Sequence, residues 1–279
     1  MRPRLTLKTT PNTLTVRKLR RSDAAHSPRG WAVAGAACGA LLTAVLCAPA
    51  SWLASGIQSA TEGQIQLQEA RGTVWNGSAR LVLTGGKDSR DHTTLPTRLG
   101  WTLRPALTGA SIALQSDCCT PAPVLARLQP GWNAMTFKVS DSLIQLPADM
   151  LSGLGTPWNT VALQGQLRLS TVGLALQYRA GRASSEGLTR LEALAVSSRL
   201  SPLKPLGSYR LDVEGGDNAR MNLSTLNGDL QLSGQGRWVG SRLHFNGEAS
   251  ASPEREAALS NLLNILGRRQ GTRSIITFG

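Results

Sequence analysis

Along most of this chain apolar residues return at every second position, the period of a strand with one dry and one wet face. Ile65 and Leu67 alternate with Gln64, Gln66 and Gln68; Leu99, Trp101 and Leu103 with Gly100, Thr102 and Arg104; Met135, Phe137 and Val139 with Thr136 and Lys138. Val161, Leu163, Leu167 and Leu169 share a face against Gln164, Gln166, Arg168 and Ser170. The pattern returns in Tyr209, Leu211 and Val213, in Met221 and Leu223, in Leu230 and Leu232, and in Leu243 and Phe245. Turn-forming runs separate these segments: "TGGKDSRD" at 84–91, "EGGDN" at 214–218, "LNGD" at 226–229 and "FNG" at 245–247. Such spacing suits hairpins and leaves too little chain for crossover helices. The pattern predicts a mainly β, antiparallel sheet.

Few segments read as helix. "PAPVLARLQ" from Pro121 and "PADMLSG" from Pro147 are each expected to give two turns. A longer helix is expected from Ser252 to Gly267: Pro253 and Glu254 suit a first turn, Leu259, Leu262, Leu263 and Leu266 form a stripe, and Gly267 supplies a stop. "SIITF", Ser274 to Phe278, reads as a closing strand.

The N-terminal part follows a different rule. Trp31 to Ala54, "WAVAGAACGALLTAVLCAPASWLA", carries no charge. As one helix it would be about 36 Å long, enough for a hydrocarbon core of about 30 Å, with Trp31 and Trp52 placed as interfacial residues. The expected organisation is a basic cytoplasmic arm over 1–30, a single transmembrane helix over 31–54 and an exported β-rich domain over 55–279. The basic arm resists translocation, which sets the N-terminus in the cytoplasm. A cleaved secretory signal is the competing reading, because Ala48-Pro49-Ala50 resembles a cleavage site, although Pro49 sits awkwardly in it. A lipoprotein site at Cys47 is weaker, since bulky Leu46 precedes it. Gly35 and Gly39 form a G-x-x-x-G that suits close helix packing in lipid, though Gly and Ala are also common in membrane helices.

Composition changes this picture little. The 29 glycines in 279 residues favour turns over helix interiors. The formal charge of +13 invites a nucleic-acid reading, but eight basic side chains and one acid, Asp23, lie in the first 30 residues. The remaining 22 basic and 16 acidic residues show no cluster interleaved with stacking aromatics, so no nucleic-acid partner is expected.

Candidate chemistry is sparse. His92 and His244 lack neighbours at metal-ligand spacing, no nucleophile elbow or phosphate loop occurs, and Asp141, Asp149, Glu186 and Glu192 read as solvated acids. Neither catalysis nor a cofactor or metal is expected. Cys118 and Cys119 are adjacent on what should be the oxidising side of the membrane, which leaves three readings: a vicinal disulfide stiffening a loop, two free thiols, or a bridge to another chain. Cys38 and Cys47 read as small apolar residues of the anchor.

In "RGTVWNGSARLVL", Arg71 to Leu83, a tryptophan stands between two glycines ahead of an alternating run. "GQGRWVGSRLHF" at 234–245 echoes it, with Trp238, Gly240 and Ser241 matching Trp75, Gly77 and Ser78. Two corners of similar geometry are one reading, and a chance match among abundant Gly and Ser is the other. As a corner, the stretch uses its glycines for tight backbone geometry and Trp75 to cover apolar surface.

These pieces, taken in order, resemble the type II secretion system protein N (GspN) family of Gram-negative bacteria. The resemblance rests on the basic arm, the span, "RGTVWNGSARL" with Gly72, Trp75 and Gly77, "LGWTLRPAL" with Trp101 and Pro105, and "NLLNILGRRQGTRSIITFG" at the C-terminus. It implies a single-pass accessory protein of the cell inner membrane with a periplasmic domain. Its partners would be other inner-membrane or periplasmic components of the machinery, met in part through free sheet edges. The family is also similar to AsmA-like periplasmic proteins with curved sheets, which implies the alternative of a carrier for lipid or another hydrophobic ligand. The length of the cytoplasmic arm and the Cys118-Cys119 pair depart from the family pattern.

Overall fold

The computed structural model describes residues 29–87, 89–179, 181–240 and 242–279. The basic arm expected over 1–30 thus lies almost wholly outside the described residues, as does Ser241. Contacts gather Val45–Gly279 into one unit, apart from the chain through Ala44.

The uncharged run expected to form one helix forms two. α1 (Arg29–Leu46) ends before Pro49, and α2 (Ala50–Ala60) begins after it. Proline cannot donate a backbone hydrogen bond inside a helix and fixes its own φ, so it suits the start of the second helix and interrupts the first. Among the described residues no helix is long and apolar enough to cross a membrane. Trp31 and Trp52 therefore stand on different helices. α2 belongs to the sheet's own core: Ala50, Leu53, Ala54 and Ile57 pack with Leu67, Ala79 and Trp101.

The strands are β1 (Ile65–Gly72), β2 (Asn76–Thr84), β3 (His92–Thr94), β4 (Leu99–Ala106), β5 (Gly109–Gln115), β6 (Val124–Gly131), β7 (Ala134–Val139) and β8 (Ser142–Pro147). A 3-10 helix (Ala148–Leu154) and a single turn, α3 (Trp158–Val161), lead to β9 (Gln164–Arg179) and β10 (Arg182–Ser197). Then follow β11 (Gly207–Glu214), β12 (Arg220–Gly228), β13 (Leu230–Val239), β14 (Arg242–Ala251), α4 (Glu256–Leu266), β15 (Arg268–Gln270) and β16 (Arg273–Phe278). Among the described residues the sixteen strands join one antiparallel sheet. Its path runs in chain order except that β3 pairs only with β2, β8 pairs with β9 beyond β7, and β16 precedes the edge strand β15. Sixteen-residue β9 takes β7 along Ala175–Arg179 and β8 along Gln166–Thr171 of the same edge.

The period of two is realised as one apolar face carried across the sheet. Directly opposed pairs include Leu67 with Leu81, Trp101 with Leu114, Leu128 with Phe137, Leu169 with Leu191, and Leu211 with Leu223. α2 covers this face at the β1–β4 end. α4 covers it at the other, where Leu259, Leu262 and Leu263 close on Val196, Leu206, Tyr209, Leu230 and Ala249. Between them Leu95, Cys119 and Met150 form a smaller cluster with Leu81, Leu83 and Leu146.

Three expectations are corrected. The segment from Pro121 is not helical but contains strand β6, whose Val124 and Ala126 are buried while Leu125 is half exposed on the other face. Apolar Leu125 at a polar position had hidden the period of two. "FNG" at 245–247 is not a turn but lies inside β14; a Cβ on Gly247 would stand 2.8 Å from the Phe245 ring, so glycine there makes room for an aromatic ring. Val161 and Leu163 both precede β9: Val161 closes α3, while Leu163, outside the strand, still packs against the core under α4. The remaining helical expectations correspond to the 3-10 helix after Pro147 and to α4.

Candidate interaction site

Gly72, Trp75, Gly77, Trp101 and Pro105 meet at one corner of the sheet. Gly72 adopts φ +86° and pairs with Gly77 across a turn in which Thr73 N–H donates to the Asn76 carbonyl and Asn76 N–H donates to the Thr73 hydroxyl. Trp101 is buried, and its Nε1–H donates to the Val74 carbonyl at 3.1 Å. Beyond Asn76, β2 no longer flanks β4; Leu103 N–H reaches the Trp75 carbonyl, and the next site on that side, Pro105, needs no acceptor.

The same corner grips the chain as it leaves α1. The Trp75 Nε1–H donates to the Val45 carbonyl at 2.7 Å, Val74 N–H donates to Ala48, and Pro49 bridges Thr73. The tryptophan therefore clasps backbone. Gly35 and Gly39 lie in α1, where a Cβ on either would meet nothing within 4 Å.

The echo at 234–245 has another geometry. Trp238 lies in β13 opposite Leu243, and Gly240 adopts φ +64° in the β13–β14 turn. Gly77 lies inside a strand and is required instead by the close approach of the Trp101 ring and of the Arg71 and Thr73 carbonyls. Matched letters serve two different constraints.

Cys118 and Cys119 are joined as a vicinal disulfide in a loop between β5 and β6. Cys119 is buried, its carbonyl accepts from Gln145 N–H of β8 at 2.7 Å, and Cys118 N–H donates to the Thr97 hydroxyl. The loop thereby fastens β8 to the segment before β4.

On the polar face the acids pair with arginines across strands. Arg190 Nε donates to Asp212 at 2.6 Å, and Glu192 receives both Arg168 and Arg210. The Asp212 hydrogen bond and charge raise the Arg190 guanidinium above its ordinary value. Asp141 accepts from Gly173 N–H. Among the described residues no three His, Cys, Asp or Glu side chains are grouped as metal ligands. A groove of about 1360 Å³ lies over β12–β14, lined in part by Arg220, Asn222, Gln235, Arg237, His244 and Asn246. It lies on this polar face, opposite the face that Phe245 and Phe278 fill with rings stacked 5.1 Å apart.

Neither sheet edge is a long flat template for strand addition. β1 carries a bulge between Gln68 and Arg71 with Glu69 at φ +50°, and β15 has three residues. What the sequence reading missed is the chemistry of the strand ends: Leu107 and Trp132 stand free at neighbouring turns. The signal was present as apolar residues inside turn segments.

A family model for the type II secretion system (T2SS) protein N matches residues 63–276, from just before β1 to within β16. No curated protein and no solved structure matches the chain.

Proposed function

Because the chain belongs to the type II secretion system protein N family, we propose that it is a non-catalytic structural component of that machinery, held at the inner membrane and acting by contact with its other components. The observation carrying this reading is that the family match runs from β1 into β16, with every singled-out tryptophan and glycine of the sheet corner engaged in backbone geometry or packing. Attachment is proposed through α1, whose residues Gly30–Leu46 carry no charge and are exposed; its eighteen residues reach about 27 Å, short of a core of about 30 Å, so a crossing would need adjoining chain as well. The basic arm ahead of it favours a cytoplasmic N-terminus and a periplasmic sheet.

The test is cross-linking of the full chain in cells that secrete through this pathway, together with protease digestion of spheroplasts. Recovery of secretion components and digestion of the sheet from outside are expected. Capture of none of them, or a sheet protected inside the cell, would overturn the reading.

One observation favours a second reading, a carrier of lipid or another hydrophobic ligand. On the apolar face Met135, Leu176 and Tyr178 remain 49%, 44% and 58% exposed, where neither α2 nor α4 reaches. Native mass spectrometry of the purified chain should then show bound lipid that is lost when Leu176 becomes Asp.

A further inference from the structure

The two ends of the strands differ chemically. Register places the β1–β2, β4–β5, β6–β7 and β9–β10 turns at one end of the sheet, and the chain enters the sheet unit at that same end, where Trp75 holds Val45. At the neighbouring β4–β5 and β6–β7 turns, Leu107 is 108% and Trp132 102% exposed, as open as in an extended chain. Neither turn needs an apolar residue there. The β6–β7 turn is made by Asn133 at φ +58°, which leaves position 132 free of backbone demand.

Behind these tips the polar face holds a row of cations. Arg104 opposes Ser111, Ser111 opposes Arg127, and Arg127 opposes Lys138, so three charges cross four adjacent strands in one line. At the next turn Arg179 opposes Arg182, and Arg179 also opposes Ala134 beside the Trp132 tip. Like charges directly across strands destabilise a sheet. On the middle strands the same face places acids opposite arginines, as in Arg190 with Asp212 and Glu192 with Arg210, whereas Arg220 and Arg237 again oppose each other on β12 and β13. Among the described residues, none of these five cations forms an ion pair.

We propose that this end of the sheet docks on the surface of an anionic lipid bilayer, with Leu107 and Trp132 at headgroup depth and the row of basic side chains against lipid phosphates. Tryptophan favours the headgroup interface, and basic side chains near an anionic surface are attracted to its phosphates. Isolated apolar apices suit a fluid interface, which they can penetrate. Against a folded protein they would bury little area. The chain enters the sheet unit at this same end, with Val45 and Leu46 exposed. The docking rests on the inner-membrane reading only for which bilayer is met.

The test is amide hydrogen exchange of the full chain in nanodiscs of phosphatidylcholine alone or with phosphatidylglycerol, read on peptides covering 106–109 and 131–134. Exchange at both tips is expected to slow several-fold only with the anionic lipid, and to recover in Leu107→Asp/Trp132→Asp and in Arg104→Glu/Arg127→Glu/Lys138→Glu. The exposed sites leave the sheet core intact, which unchanged exchange in β9 and β10 verifies. Equal exchange in both lipids, or protection that survives the tip substitutions, would overturn the proposal. Protection in detergent without a bilayer would also overturn it, in favour of contact between copies of this chain. Exchange over Gly30–Leu46 in the same nanodiscs separates the two readings: exchange there that the bilayer leaves unchanged sinks the anchor, while the tips still report on docking.

Discussion

Gly77 and Trp101 are opposed partners on β2 and β4, and the indole occupies the space a side chain at 77 would need. A Cβ built on Gly77 would stand 2.6 Å from Trp101 Cζ2, with the carbonyl oxygens of Arg71 and Thr73 at 2.7 and 2.8 Å. Two of the three obstacles are backbone, so rotating the ring cannot relieve them. Gly77→Ala should destabilise the fold by about 1–3 kcal/mol, read as a lower Tm, and trimming Trp101 in the same chain should restore little of it.

The clasp between Trp75 and Val45 makes a separate prediction. Trp75→Ala should lower the Tm, while Trp75→Phe keeps one six-membered ring and loses the pyrrole ring with the N–H donated to the Val45 carbonyl, a bond worth about 0.5–1.5 kcal/mol, and should lower it less. Amide exchange over Val45–Ala48 should accelerate in both variants. Unchanged stability with lost partner capture would instead make Trp75 a contact residue.

Closure of the sheet's second half depends on α4. Leu263 is fully buried, and Leu263→Ala should cost about 2–5 kcal/mol. Ile265, two residues on and largely exposed, is expected to tolerate Ala within about 0.5 kcal/mol. Denaturant unfolding of the two variants distinguishes a docked helix from a detached one.

Alkaline pH should act through Tyr209. Burial, with Asp229 adding to it, pushes its phenol well above the ordinary value, and its hydroxyl donates to the Leu230 carbonyl at 3.2 Å. Below the unfolded value of about 10 the phenol is neutral in both states and contributes no pH dependence. Above it the unfolded chain loses the proton first, so stability falls as pH rises toward the folded value. The alkaline fall should be shallower in Tyr209→Phe, although that variant starts from lower stability for want of the hydrogen bond.

Reducing Cys118 and Cys119 should barely move the melting of the sheet, because adjacent cysteines close almost no loop and constrain little of the unfolded chain. The local effect should be larger. Amide exchange at Gln145, which donates to the Cys119 carbonyl, and at Cys118 is expected to speed on reduction, and a mass shift of the intact chain reports the starting redox state.

Much of the fold was legible because alternation survives in sequence. The pairs Ile65 and Leu67, Leu99 and Trp101, and Tyr209 and Leu211 each fall on one apolar face, as their spacing demanded. α4 was equally legible from its leucine stripe and the stop at Gly267. β6 was not, since Leu125 broke the alternation. The grouping of Gly72, Trp75, Gly77, Trp101 and Pro105 was visible only as nearby letters; their contacts depend on the β2–β4 register, which no local pattern states.

By itself the sequence determined that this is a family of alternating strands with an apolar N-terminal segment, because side-chain period and charge are local properties. Tertiary structure decided where that segment breaks, since Pro49 starts α2 only in a chain whose Ala50, Leu53 and Ile57 have a sheet to pack on. It also decided that Leu107, Trp132 and the cations behind them share one end. Neighbours across strands are fixed by pairing register, and residues far apart in the chain become a single surface only when the strands align.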